Sequence, residues 1–331
     1  MTLKEDYYRM LEGKMPASDV PYYRMVFGPQ PTPPEYVGMM PDYIDLFSTM
    51  QTLKNAWGVE YAVDVNGTGA MPAPGKFMLT DVTKWKDIVK APYRYDYDFK
   101  AAAEKDMAMQ VADPNTQLIG SFGLGGSFFL DMSNFMGFEG AMLAMYDEPE
   151  AVHELLDYLC DYYCWVTDNI LTHYTAIEIA GFGDDNATEI NPFISFEMFK
   201  EFLLPRYKRL WDVAIKHGKI INYHNCGRCE DFMDDFVAIG TQIWNCATPV
   251  NDLNGFKKKY DSKIIMELSA RFYIEDDEAT TRQRVRDLID EYAPGGALVW
   301  ISGATSMNPE HMFIEEWIYD EVENYGKGFY A

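Results

Sequence analysis

Positive charge is what this 331-residue chain has little of: 28 lysines and arginines face 52 aspartates and glutamates, for a formal net charge of −24. Nucleic acid is excluded as a partner on that ground, because phosphate binding needs clustered Lys and Arg. Anionic membrane surfaces are disfavoured for the same reason. No run of about 18 apolar residues is present, and Met1-Thr2-Leu3-Lys4-Glu5-Asp6 shows no signal-peptide pattern. The expectation is therefore a cytoplasmic protein with no membrane partner. Cysteine is scarce as well, with five in the chain, which excludes a disulfide framework. Cys226 and Cys229 form a Cys-x-x-Cys, but no second pair completes a structural zinc site, and Cys229 is expected to start a helix. Cys160 and Cys164 share one helical face and read as core thiols. The glycines of Gly123-Leu124-Gly125-Gly126 lack both a Walker-type lysine and a dinucleotide fingerprint, so they read as a loop.

What is present is ordinary globular material, 48% hydrophobic, patterned as short apolar runs alternating with longer amphipathic segments. Candidate strands fall at residues 20–27, 60–65, 117–122, 176–182, 219–224, 241–246, 263–268 and 297–302. Ser195 reads as the N-cap of a helix that is kinked by Pro205 and ended by Gly218. Asp147, Pro149 and Glu150 announce another helix, running to about residue 171. Eight strands in alternation with helices predict an α/β fold, a (β/α)8 TIM barrel, with chemistry at the strand C-terminal ends. A doubly wound open sheet has the same strand count. One domain over residues 1–331, opened by an N-terminal helical and loop extension, is the expected organisation.

In a barrel the informative residues lie just past each strand. These are Asp184 and Asp185 after the fourth, His224 and Cys226 after the fifth, Cys246 after the sixth and Glu267 near the end of the seventh. Imidazole, thiolate and carboxylate are all zinc ligands, and a catalytic site uses three of them with one position open. Phe122, Phe128 and Phe129 around the glycine loop can wall an apolar pocket or belong to the core. His153, His173, His217 and His311 have no ligand-like neighbour.

The chain resembles the uroporphyrinogen decarboxylase superfamily, and within it the corrinoid-dependent methyltransferases. The resemblance extends over most of the chain. It begins in residues 2–14 and in Trp57-Gly58-Val59-Glu60. It is strongest in Gly183-Asp184-Asp185, Ile194-Ser195-Phe196-Glu197-Met198-Phe199, Leu204-Pro205-Arg206-Tyr207-Lys208-Arg209 and His224-Asn225-Cys226-Gly227. The resemblance implies the barrel fold reached above. Porphyrinogen decarboxylases of the superfamily bind substrate carboxylates with an Arg-rich N-terminal segment. Here the corresponding Tyr22-Tyr23-Arg24-Met25-Val26-Phe27-Gly28 has a single Arg, which argues against that activity.

The methyltransferase branch carries His-x-Cys after the fifth strand and a further Cys after the eighth as zinc ligands. His224 and Cys226 match the first part, but Ile301-Ser302-Gly303-Ala304-Thr305-Ser306 supplies no Cys. Glu267 is preferred as the third ligand, with Arg271 as its only nearby counterion, and Cys246 is the rival. The resemblance then implies zinc and a corrinoid carried by a partner protein. The preferred reaction moves a methyl group from a small-molecule methyl donor, an aromatic methyl ether, to Co(I) of that partner. Asp184 or Asp185 would hydrogen-bond or protonate the departing oxygen, with Tyr22 and Tyr23 as weaker acids. Tyr22, Tyr23, Phe122 and Cys246 are the expected substrate contacts. The alternatives are a methylcobamide:thiol methyltransferase, a decarboxylase-like lyase and a metal-free binding barrel. A homodimer is compatible with all of them.

Overall fold

The computed structural model describes residues 1–24, 34–43, 53–63, 70–121, 123–301 and 313–331. Helix α1 (Leu3–Leu11) opens on a capping box in which the Thr2 hydroxyl accepts the Glu5 N–H and the Glu5 carboxylate accepts the Thr2 N–H. Strands β1 (Tyr36–Met39), β2 (Tyr61–Val63) and β3 (Ala70–Pro72) follow. Helix α2 (Phe99–Gln110), β4 (Leu118–Ser121), α3 (Phe128–Met136), α4 (Phe138–Asp147) and α5 (Pro149–His173) come next. From there strand and helix alternate: β5 (Ile179–Gly183), α6 (Leu204–Lys216), β6 (Ile220–His224), α7 (Glu230–Ala238) and β7 (Thr241–Ala247). The chain ends with α8 (Leu253–Lys259), β8 (Ile265–Leu268), α9 (Glu278–Tyr292), β9 (Leu298–Trp300) and α10 (Phe313–Gly326).

Seven strands pair in parallel in the order β1-β4-β5-β6-β7-β8-β9. They curl into a TIM-barrel-like half-barrel flanked by helices. Tyr22 adds a parallel bridge to Trp300, so the segment ending at Tyr23 runs beside β9. The expected strand at residues 60–65 is corrected. Its described part, β2, pairs antiparallel with β3 outside the barrel, and the barrel takes Tyr36–Met39 instead. Ser195 caps its helix as expected, accepting from Met198 N–H. A π-helical turn, Phe199–Leu203, precedes α6, so Pro205 sits in the first turn of α6 rather than inside a kinked helix. Among the described residues no helix is long and apolar enough to cross a membrane.

Period-two alternation on the strands separates two buried clusters. Outward residues such as Tyr223 pack under the helices, with the Tyr223 and Phe236 rings stacked 3.8 Å apart. Inward residues Leu118, Ile179, Ile243, Ile265 and Val299 form the barrel interior, which α1 closes from the strand N-terminal side with Leu3, Tyr7 and Met10. Above that apolar layer lies Glu267, fully buried on β8. Its carboxylate accepts Tyr7 O–H at 2.6 Å, Asn222 Nδ2–H at 3.0 Å and Asn245 Nδ2–H. Burial raises its pKa, and the donors oppose that shift. Tyr7→Phe removes one donor from a carboxylate with no access to water. The expected cost is about 1–3 kcal/mol, read as a lower urea midpoint at unchanged slope.

Candidate functional site

Strands β5, β6 and β7 end side by side, and the residues past their ends converge. His224 is the last residue of β6 and points inward, in register with Asn245 of β7. Its Nδ1–H donates to Asn245 Oδ1 at 2.5 Å, which turns Nε2 toward Cys226 Sγ, 3.4 Å away. Strict alternation would place Cys246 on the outer face with Trp244, in the helix-side cluster, and Ala247 inward. The ladder instead shifts register between Asn245 and Ala247, and Cys246 sits at φ +54°. That bulge re-aims its side chain, and a non-glycine residue in the left-handed region costs about 1–2 kcal/mol. The result is a cluster of His224, Cys226 and Cys246 whose ligand atoms all lie within 4.8 Å of one another.

The fit to a tetrahedral metal is close, since zinc–nitrogen and zinc–sulfur bonds at the tetrahedral angle set the two ligand atoms about 3.6 Å apart. The electrostatics agree. Burial opposes a charge on His224, but the Cys226 thiol and Asp185 outweigh it and carry its pKa to about 9. The hydrogen bond from Cys226 lowers the pKa of Cys246 and raises that of Cys226. Three ligand groups thus compete over protons in a space that one divalent cation would satisfy. The Asn245 contact is the kind of outer support that fixes a ligating histidine's tautomer, and Glu267 in turn fixes the Asn245 amide.

Glu267 itself is not in this cluster. Its carboxylate is spent on Tyr7, Asn222 and Asn245 inside the barrel. Arg271 is not its counterion but pairs with Glu189 at 2.8 Å on the surface. Asp185 accepts Cys226 N–H at 2.8 Å and lies 3.6 Å from His224 Nε2. Asp184 is fully buried and caps α3 from the end of the neighbouring strand β5, taking Phe129 N–H at 2.7 Å, Leu130 N–H at 3.0 Å and Tyr207 O–H at 2.6 Å. Burial pushes its pKa up to about 8 against those three donors. Tyr23 stacks on Tyr36 at 4.1 Å in the barrel interior, and Tyr22 reaches Glu323 at 3.4 Å, so neither lines the cavity below. Phe122 and His311 lie outside the described residues. Gly227 holds the turn after Cys226 at φ +82°, where a Cβ would meet the carbonyl oxygens of Thr188 and Ala187 at 2.5 and 2.7 Å.

Beside the cluster opens a cavity of about 570 Å³, with Asp184, Asp185, His224 and Asn245 on one side. Its other walls include the glycine loop at residues 123–125 and residues to which the sequence reading gave no site role: Trp57, Tyr61, Asp131, Tyr162 and Tyr163. Asp131 stands in the first turn of α3 amid apolar Phe128, Phe129 and Leu130, and a charge in such a run was the available signal. Tyr163 O–H donates to Asp131 Oδ2, and burial drives the Asp131 pKa to about 7.

The uroporphyrinogen decarboxylase (URO-D) family profile matches residues 32–306. The chain belongs to the uroporphyrinogen decarboxylase family. No curated protein matches it in sequence. In structure, this family member is similar to a methyltransferase from Methanosarcina mazei, at 14% identity and a TM-score of 0.61, over 100% of both chains. It is also similar to a glycosylated endo-β-1,4-xylanase of glycoside hydrolase family 10 from Gloeophyllum trabeum, at 10% identity and a TM-score of 0.46, over 91% of this chain and 96% of that one. The first likeness shows a shared fold, and the second supports nothing further.

Two outcomes test the geometry. Asn245→Ala frees the His224 ring, and a zinc affinity about 10–100-fold weaker is expected, measured by competition with a chromogenic chelator. Asp131 has an unfolded pKa near 3.8 and a folded value of about 7, so its folded form binds the proton more tightly. Its contribution to stability is therefore present at low pH and lost as pH rises from near 3.8 through 7. Urea unfolding of wild type against Asp131→Asn shows this directly: the difference moves in favour of the variant between pH 5 and pH 7.5 if about two pH units of that window are crossed.

Proposed function

We propose that this member of the family is a methyltransferase that passes a methyl group between a small substrate and a corrinoid carried by a partner protein. The carrying observation is one imidazole and two thiols converging beside a cavity at the strand C-terminal ends. His224, Cys226 and Cys246 would hold zinc, which would supply a Lewis acid able to bind the substrate heteroatom and tune its reactivity. The shared fold with the Methanosarcina mazei methyltransferase supports the reading. A porphyrinogen decarboxylase reading lacks support, because no lysine or arginine lines the cavity among the described residues.

The ligand set decides the favoured direction. A mixed set of His, Cys and Glu would suit activation of an ether oxygen, which was the expectation from sequence. With Cys246 in place of Glu267 the formal ligand charge is the same, but a second thiolate gives more electron density to the metal than a carboxylate, and a less Lewis-acidic zinc suits keeping a substrate thiolate nucleophilic. We therefore favour transfer to a thiol. The substrate sulfur would give an electron pair to the methyl carbon, and its proton would pass to Asp185, the half-exposed carboxylate beside the cluster. The pair from the broken bond to methyl would stay with the partner's carrier. Asp184, whose oxygens already serve three donors, would position α3 and the cavity wall. The aromatic lining favours the second reading, demethylation of an aromatic methyl ether.

The test supplies zinc-loaded protein with a methylated corrinoid protein and a panel of thiols, and separately with reduced corrinoid protein and methyl ethers. Methylation of a thiol, lost by at least about 100-fold in Cys246→Ser, is the expected result. Turnover of ethers alone reverses the direction, and equal activity in zinc-free protein removes the metal from the account.

A further inference from the structure

The cavity has chemistry that a metal site does not use. Among its described lining residues there is no lysine or arginine, while three aspartates, Asp131, Asp184 and Asp185, face or border it. Two of these are engaged: Asp184 by three donors and Asp185 by the Cys226 N–H. Asp131 differs. Its residue is 6% exposed, Tyr163 O–H serves Oδ2, and no donor among the described residues reaches Oδ1. It does not cap α3 either, because the Phe129 and Leu130 N–H groups go to Asp184. A carboxylate in a cavity wall with one oxygen unanswered among the described residues is a fixed negative site that a cationic ligand group can answer by charge, with or without an N–H.

Aromatic rings gather around this carboxylate. Tyr61 and Tyr162 both feel its charge, and Trp57 meets Tyr162 edge-on, with ring centroids 5.1 Å apart and planes at 77°. Gly125, at φ +109°, gives up the space that lets the Tyr163 ring approach: a Cβ there would lie 2.1 Å from it. Arg94 stacks on Tyr43 and Tyr97 and is not part of the lining, so it does not answer Asp131. His224, the one basic side chain among the described lining residues, stands on the opposite, metal-ligand side, and ring surfaces combined with a carboxylate and no lysine or arginine form an environment that organic ammonium ions enter favourably.

We propose that the substrate's non-reacting end is an organic ammonium group, seated against Asp131 and the rings of Trp57, Tyr61 and Tyr162. This rests on the methyl-transfer reading for what the other end does, and under it the substrate is an aminothiol rather than a thiol bearing a carboxylate or sulfonate. An anionic tail on that side would meet aspartates and no lysine or arginine among the described lining residues.

The binding test needs neither metal nor corrinoid, so its failure and that of the methyl-transfer reading are distinguishable. Choline, its uncharged isostere 3,3-dimethyl-1-butanol and the anion 3,3-dimethylbutanoate are titrated calorimetrically into the metal-free full-length protein. Choline is expected to bind about 10-fold or more tightly than the alcohol, with the anion weakest. Asp131→Asn keeps an acceptor for Tyr163 and should abolish the preference for choline while leaving the alcohol's affinity in place. Trp57→Leu should weaken choline more than the alcohol. Equal affinities for choline and the alcohol, a tighter anion, no choline binding at millimolar concentration, or an unchanged preference in Asp131→Asn each overturn the proposal.

Discussion

The buried carboxylate of Glu267 is the constraint on which the rest of the site depends. It stands fully buried inside the barrel, held by Tyr7 from α1, Asn222 from β6 and Asn245 from β7, with no lysine or arginine among its described partners. A carboxylate in that position is tolerable only if every donor keeps its orientation, because an unanswered buried charge is strongly destabilising. Asn245 is therefore locked with its nitrogen toward Glu267 and its oxygen toward His224. One hydrogen-bond chain thus runs from the helix that plugs the bottom of the barrel to the imidazole at its mouth. Fold stability and ligand geometry are the same set of contacts.

The second determinant is the β7 bulge. Backbone strain at a non-glycine residue in the left-handed region persists when surrounding structure holds it, and such positions concentrate at functional sites. Here strain at Cys246 turns a side chain that alternation would bury under the helices toward Cys226 and His224. The pairing of β7 with both β6 and β8 holds it in place.

Much of the fold was legible in the sequence, because long amphipathic helices and apolar strand runs carry their period openly. The helix from Pro149 and the Ser195 cap lie where their local chemistry put them. The four-residue strand Tyr36–Met39 was missed because it follows a Pro-rich stretch and is too short to show a period. The run at residues 60–65 was taken for a barrel strand because alternation does not say which strand is the partner. His224, Cys226, Asp184 and Asp185 were picked out because strand ends locate chemistry in a barrel. That Cys246, the rival candidate, rather than Glu267 lies beside His224 and Cys226 has a backbone reason: a one-residue register shift moves a side chain to the other face and leaves no mark in composition. Asp131, Trp57, Tyr61 and Tyr162 come together only through tertiary packing of segments far apart in the chain.

Net charge acquires a local meaning in this arrangement. The overall excess of acid, −24, continues into the cavity, whose described wall carries aspartates and aromatic rings, with His224 but no lysine or arginine. Under the ammonium proposal, selectivity against anions would be built into the site rather than left to long-range repulsion. The central claim is the ligand set at the barrel mouth, and zinc K-edge X-ray absorption on the reconstituted protein tests it most directly. The account predicts two sulfur scatterers at about 2.3 Å and one imidazole nitrogen at about 2.0 Å. A shell of oxygen and nitrogen alone, or one sulfur accompanied by a carboxylate, would contradict it.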